Sequence, residues 1–143
     1  MQDAQEAGGA ERMQPPAIMP MIRTIAMPAD ANANGDIFGG WLMSQMDLAA
    51  GNMASRESHG RCVTVSVDAM SFIRPVMVGD EVTVYCQLES RGRTSMKIAV
   101  EAWRRERSEC NDERVTKAVF TFVAIDSAGR PRPLPLTSSM PRG

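Results

Sequence analysis

Gly40-Trp-Leu-Met-Ser-Gln-Met-Asp-Leu-Ala-Ala-Gly-Asn-Met-Ala-Ser-Arg-Glu57 is the stretch on which the fold turns. Wound at about 100° per residue, Leu42, Met43, Met46, Ala49, Ala50, Met53 and Ala54 share one arc of about 140°. The pattern predicts a helix from about Gly40 to about Glu57, stopped by His59-Gly60. Gly51 lies just past the arc, where it lets another backbone come close at some cost in helix propensity. Asp47 stands about 20° outside the arc, in a stripe with Met43, Ala50 and Gly51. A carboxylate there is expected to be partly buried. It is a candidate general base or nucleophile, with a water-facing boundary residue as the alternative.

Upstream, Asp30-Ala-Asn-Ala-Asn-Gly-Asp36 is dense in residues that favour turns and left-handed backbone. It leads through Ile37, Phe38, Gly39 and Gly40 into the helix. A helix start exposes free N–H groups, which stabilise developing negative charge. Asp36 is expected to cap the helix, and Asn32 or Asn34 to orient a substrate or a water. A plain turn and cap is the competing reading. Residues 1–20, with Pro15, Pro16 and Pro20, read as a disordered tail. Met21 to Met27 is a weakly specified first strand.

Downstream the period changes to two. Cys62-Val-Thr-Val-Ser-Val-Asp68 alternates, with Val63, Val65 and Val67 expected on one side. Met70 to Ile73 reads as a second part of this strand, and Val78-Gly79-Asp80 as a turn. Strands follow over Val82 to Leu88, Met96 to Ala102, and Val115 to Ile125. The last has two apolar faces, as in a strand covered on both sides. Arg130-Pro-Arg-Pro-Leu-Pro135 is extended, and residues 136–143 are read as a flexible tail. One helix and several strands joined mainly by short turns give an α+β domain over residues 21–135, with consecutive strands as antiparallel neighbours. A single helix leaves the other sheet face needing cover, which an oligomer supplies.

Composition limits the functions. The 143 residues suit one domain, and 16 Lys and Arg against 17 Asp and Glu lack the basic excess of a general nucleic-acid binder. Cys62, Cys86 and Cys110 are odd in number and widely spaced, so a reducing cytoplasm is expected rather than a disulfide framework or zinc site. No apolar run is long enough for a membrane span. Ser44 has no G-x-S-x-G setting, and no dinucleotide or Walker pattern occurs. His59 is the sole histidine. Arg91, Arg93, Arg130 and Arg132 sit in turns and ends, where they can hold phosphates of an anionic ligand or remain solvated.

The stretch Met27-Pro-Ala-Asp-Ala-Asn-Ala-Asn-Gly-Asp-Ile-Phe-Gly-Gly-Trp-Leu-Met-Ser-Gln-Met-Asp47 resembles the start of the hotdog-fold acyl-coenzyme A thioesterases, especially the short bacterial YciA-like group. The resemblance continues through His59-Gly-Arg-Cys-Val-Thr-Val65, Phe72-Ile-Arg-Pro-Val76, Val78-Gly-Asp80, Arg93-Thr-Ser-Met-Lys-Ile98, Ala118-Val-Phe-Thr-Phe-Val-Ala124 and Gly129-Arg-Pro-Arg-Pro-Leu-Pro135. It covers residues 21 to 135. It implies a hotdog fold: a central helix wrapped by a bent antiparallel sheet, paired edge to edge in a homodimer, with a trimer of dimers as the assembly. The implied reaction is acyl-coenzyme A hydrolysis. Asp47 would come from one subunit and the Asn32 to Gly40 loop from the other. Asn32 and Asp36 are both candidates for the family's asparagine position. Some relatives carry Asn at the position of Asp36 and His at that of Phe38. With Phe here, the loop's expected work is polarisation of the thioester by the backbone N–H groups near Phe38, Gly39 and Gly40. The resemblance implies no metal or prosthetic group, coenzyme A being part of the substrate. The rivals are a non-catalytic acyl-coenzyme A binder and a hotdog dehydratase.

Overall fold

A computed structural model describes residues 14–136. The expected tail segments 1–13 and 137–143 lie outside the described residues. Helix α1 runs Gly39–Ser58, one residue longer at each end than its periodicity suggests. Its end is set by His59, which adopts left-handed backbone (φ 58°) and donates its N–H to the Ser55 carbonyl. Leu42, Met46, Ala49, Ala50, Ala54 and Ser58 form its buried face. Met46 is fully buried, and burial of such a side chain is worth roughly 1.5–3 kcal/mol. Met43 is exposed, so the buried stripe is narrower than the apolar arc. A Cβ at Gly51 would meet the Phe122 ring at 3.6 Å. The close neighbour there is thus an aromatic side chain, not a backbone.

The strands are β1 (Ile22–Ile25), β2 (Cys62–Asp68), β3 (Glu81–Arg91), β4 (Ser95–Arg105) and β5 (Asp112–Ala124). They form one antiparallel sheet in the order β1-β3-β4-β5-β2. The sheet curls round α1, which packs against β2, β3, β4 and β5. This is the expected hotdog arrangement. Between them lie Val82, Val84, Ile98, Val100 and Phe120, all buried.

Two local expectations differ from the structure. First, β3, β4 and β5 are meander neighbours, but β2 does not pair with β3. The segment after Asp68 turns away through Ala69 (φ 56°) and carries the chain to the far side of the sheet, leaving β2 beside β5. Met70 to Ile73 therefore forms no strand. Second, β2 carries a bulge between Thr64 and Ser66. The extra residue, Val65, breaks the alternation, so Val63 and Val67 face opposite sides of the sheet and Thr64 joins Val67 on the helix side. β2 is an edge strand, with Val63 41% and Val65 54% exposed.

The sheet's outer face is partly covered from within the chain. Residues 14–20 have no regular structure; Pro16 and Ile18 line a small pocket with Tyr85 and Glu101, and Pro15 lines a wider groove with Trp103. Trp103 is 1% exposed and donates from Nε1 to Glu101. Of the expected tail, Pro15, Pro16 and Ile18 border pockets on this face, while Met19 is 85% exposed. No helix among the described residues is long and apolar enough to cross a membrane.

Candidate active site

The loop before α1 is built by its own backbone. Asn32 Oδ1 accepts the N–H groups of Asn34 (2.9 Å) and Asp36 (3.1 Å), and the Asn32 N–H donates to the Asp36 carbonyl at 2.7 Å. Gly35, at φ 88°, turns the chain where a side chain would be strained. The returning limb then bridges Asp36 to Met77 and donates the Ile37 N–H to the Val76 carbonyl. Asn32 Oδ1 is thereby committed to the loop's shape. Asn34 is exposed at its tip.

Asp36 does not cap the helix, contrary to the sequence expectation. The N-cap is Phe38 (φ −58°, ψ 135°), with no side-chain cap hydrogen bond. The bridge to Met77 holds Asp36 in extended backbone two residues short of the cap, so its carboxylate is not placed over the first turn. The Phe38 N–H donates to the Asp30 carbonyl at 3.1 Å. The N–H groups of Gly39 and Gly40 have no acceptor among the described residues, and both glycines are exposed. The helix start therefore presents two adjacent free donors, and Phe38 contributes its ring.

The turn that braces this loop is held by a buried charge. Asp80, 2% exposed, accepts the Met77 N–H at 2.9 Å and an N–H of Arg104 at 2.9 Å. Arg104 also grips Glu113 at 2.8 Å. Burial lowers the Arg104 pKa, but its hydrogen bonds to Asp80 and Glu113 outweigh that and leave it raised.

Asp47 projects from the side of α1 that faces β2. Its Oδ1 accepts a 2.6 Å hydrogen bond from the Thr64 hydroxyl, a length typical of a hydroxyl on a carboxylate. Asp47 is exposed in the single chain, not partly buried as its helical position suggests. The reason is that β2 is the last strand of the sheet and nothing beyond it covers the helix flank. Thr64 was not legible as a partner, because strict alternation puts it opposite Val63 and the bulge is invisible in the sequence.

Beside the free amides lies a cavity of about 300 Å³. Its deep end is formed by the buried Ile37, Leu42, Val76 and Val115, and its rim by the half-exposed rings of Phe38 and Phe72. A Cβ on Gly39 would stand 3.5 Å from the Phe72 ring. Thr116 fixes that rim, donating its hydroxyl to the Ser71 carbonyl at 2.6 Å, while the Ile73 N–H donates to the Val115 carbonyl at 2.8 Å. A larger groove of about 910 Å³, between Pro15 and Trp103, contains neither Asp47 nor the free amides.

The four arginines separate into two kinds. Arg132 is a clamp: it donates to the carbonyls of Ile125, Ser58 and Arg61 and to the Ser58 hydroxyl, tying the chain after β5 to the end of α1. Arg91 donates to the Pro135 carbonyl. The side chains of Arg93 and Arg130 are exposed and make no hydrogen bond among the described residues. The described residues also contain no group of three or more His, Cys, Asp or Glu side chains placed to hold a metal.

Comparison with known proteins matches residues 34–111 to the thioesterase superfamily. The acyl-CoA thioester hydrolase YciA of Salmonella typhimurium is 53% identical over 119 residues, spanning 81% of this chain and 90% of that protein. A hexameric thioesterase from Yersinia pestis superposes with a TM-score of 0.80 at 51% identity, covering 85% of this chain and 98% of that one. A hexameric broad-specificity acyl-coenzyme A thioesterase superposes with a TM-score of 0.81 at 46% identity, covering 90% of this chain and 86% of that one. The chain carrying Asp47, the paired glycine amides and the wrapped helix belongs to the thioesterase superfamily, in the YciA-like group of hotdog acyl-CoA thioester hydrolases.

Proposed function

We propose that this acyl-CoA thioester hydrolase works at a site shared by two copies of the chain, with Asp47 from one and the Gly39 and Gly40 amides from the other. The observation that carries the reading is the separation of these groups. Asp47 lies seven residues beyond Gly40 and eight beyond Gly39 on one helix, about 10–12 Å along its axis. A carbonyl whose oxygen sits about 3 Å from the amides has its carbon barely farther away, nearly two helical turns from the backbone that carries the carboxylate. Both groups are exposed, and the open edge of β2 lies next to Asp47. Edge-to-edge pairing of β2 with its copy satisfies that edge and brings a second Asp47 and a second helix start into one region. A trimer of such dimers accords with the hexameric relatives.

In this arrangement the two amides stabilise the oxyanion as the thioester carbonyl is attacked. Asp47, held by Thr64, either deprotonates the attacking water or attacks the carbonyl itself. Label from isotopically enriched water found in Asp47 after a single turnover marks direct attack followed by hydrolysis at the Asp47 carboxyl carbon, whereas an acyl-Asp47 anhydride trapped by rapid quench marks direct attack whichever carbonyl the water then enters. The products are a free carboxylic acid and coenzyme A, whose thiolate leaves and takes up a proton. Arg93 and Arg130, with Arg91 nearby in sequence, are the candidates for the coenzyme A phosphates. Coenzyme A enters as substrate, and no resident cofactor is invoked. The three free cysteines suit a reducing cytoplasm.

The test combines two inactive chains. Asp47→Asn removes the carboxylate's charge. Gly39→Pro removes one free N–H at the first helical position, where proline is tolerated and where the extended backbone of Phe38 suits a following proline. Each alone is expected to lose about 100-fold or more in kcat. Coexpressed, they regain about a quarter of wild-type activity, because half of randomly formed dimers are mixed and each mixed dimer has one intact site of two. No recovery would place the site within one chain. Full activity in Asp47→Asn would remove Asp47 from the chemistry.

A further inference from the structure

We infer that the 300 Å³ cavity under Phe38 and Phe72 receives the acyl group, and that Val115 at its deep end sets how long that group can be. The inference rests on the hydrolase reading and extends it to the substrate's class. A carbonyl held at the Gly39 and Gly40 amides has two substituents to place. One is the thioester sulfur with its polar, multiply charged coenzyme A; the other is an apolar chain. The cavity opens beside Gly39; Ile37, Leu42, Phe72, Val76 and Val115 give it an apolar side, while Asn32, Asp36 and Arg74 make the rest of its wall more polar, so burying hydrocarbon against the apolar side is favourable. Placing coenzyme A phosphates against the buried Leu42 and Val115 would strip charge of water at great cost.

The rim and the deep end have different physical characters. Phe38 and Phe72 are 48% and 46% exposed and border the opening. Val115 and Leu42 are 1% and 2% exposed, locked in the core beside Val76. The Thr116 hydroxyl bond to Ser71 and the Ile73 bond to Val115 tie the Phe72 segment to the same strand that supplies Val115. Rim and deep end therefore keep a fixed spacing. At about 30 Å³ per water-sized group, a volume of 300 Å³ corresponds to about ten such groups. The acyl groups it fits are of short and medium length, and the remainder of a longer chain must lie outside it.

The experiment is a kcat/KM profile across saturated acyl-coenzyme A esters from acetyl to palmitoyl, for wild type, Val115→Ala and Val115→Ile. One methylene in an apolar pocket changes kcat/KM by about tenfold or more. The longest chain hydrolysed without loss is expected to increase in Val115→Ala and decrease in Val115→Ile, with about tenfold changes at the wild-type limit. Because Val115 is buried, Phe72→Ala at the exposed rim provides an independent arm, expected to lower the octanoyl-to-acetyl ratio of kcat/KM by about tenfold. Folded, active variants whose profiles all superimpose on wild type would overturn the inference. A folded wild-type enzyme that cleaves no ester in the series would overturn the hydrolase reading itself, and this one with it.

Discussion

Thr64→Val tests whether the 2.6 Å contact with Asp47 has a catalytic role. Valine keeps the branched shape and removes only the hydroxyl donor. A hydrogen bond to a charged group contributes about 1.5–3 kcal/mol, equivalent to about 10- to 150-fold in rate. Thr64 and Asp47 are both exposed in the single chain, where water competes for the carboxylate, so the lower end is the minimum expected. The expected result is about a tenfold fall in kcat with KM little changed, since Thr64 orients the reacting carboxylate and does not hold coenzyme A. Steady-state thiol release is the assay. Thr64→Ser, which restores the donor, should recover most of the loss. The decisive comparison is a double-mutant cycle: in an Asp47→Asn background, Thr64→Val should add almost nothing, because its effect passes through that carboxylate. Thr64→Val within twofold of wild type, or a full tenfold loss on top of Asp47→Asn, would refute the assigned role.

Two further predictions concern the scaffold. Arg104→Met leaves Asp80, whose side chain is 3% exposed, without its cation; breaking such a buried pair costs about 3–5 kcal/mol, or about 10–20 °C in Tm for a domain of this size. A thermal scan in which Tm falls by less than about 3 °C would refute this. Burial also pushes the Cys86 thiol up to about 12. In the unfolded chain it ionises near 9, so above that pH the unfolded state binds fewer protons and stability falls until about pH 12, by about 1.4 kcal/mol per unit. Urea midpoints of wild type and Cys86→Ala should therefore converge from pH ~8 to ~10, and parallel curves would refute the assignment.

What was legible in the sequence follows the range of the interactions involved. The helix was readable because Leu42, Met46, Ala49 and Ala50 repeat within a few residues, and its end because His59-Gly60 allows left-handed backbone there. The long strands were readable from their period of two. Strand order was not, because β2 lies beside β5 through contacts such as Cys62 with Ala124, far apart in the chain. The bulge at Val65 was equally hidden, and with it the direction of Thr64. At the site, Gly39 and Gly40 were readable as helix-start donors, but only the fold reveals that the Phe38 N–H is already taken by Asp30. Likewise four arginines look alike in sequence, and only the tertiary contacts set Arg132 apart as a clamp from Arg93 and Arg130.

The one correction at Asp47 has the widest consequence. A helix flank with a carboxylate should lie under the next strand if the sheet continued, and Asp47 would then be buried. Here the sheet stops at β2, with Val63 and Val65 exposed and the backbone edge open. An edge strand of this composition invites pairing with another copy, and pairing there covers the same flank on which Asp47 and Thr64 meet. Burial of the carboxylate would then be a property of the assembly. Desolvation strengthens the charge-assisted bond to Thr64, so the tenfold loss expected for Thr64→Val is a lower bound for the assembled enzyme.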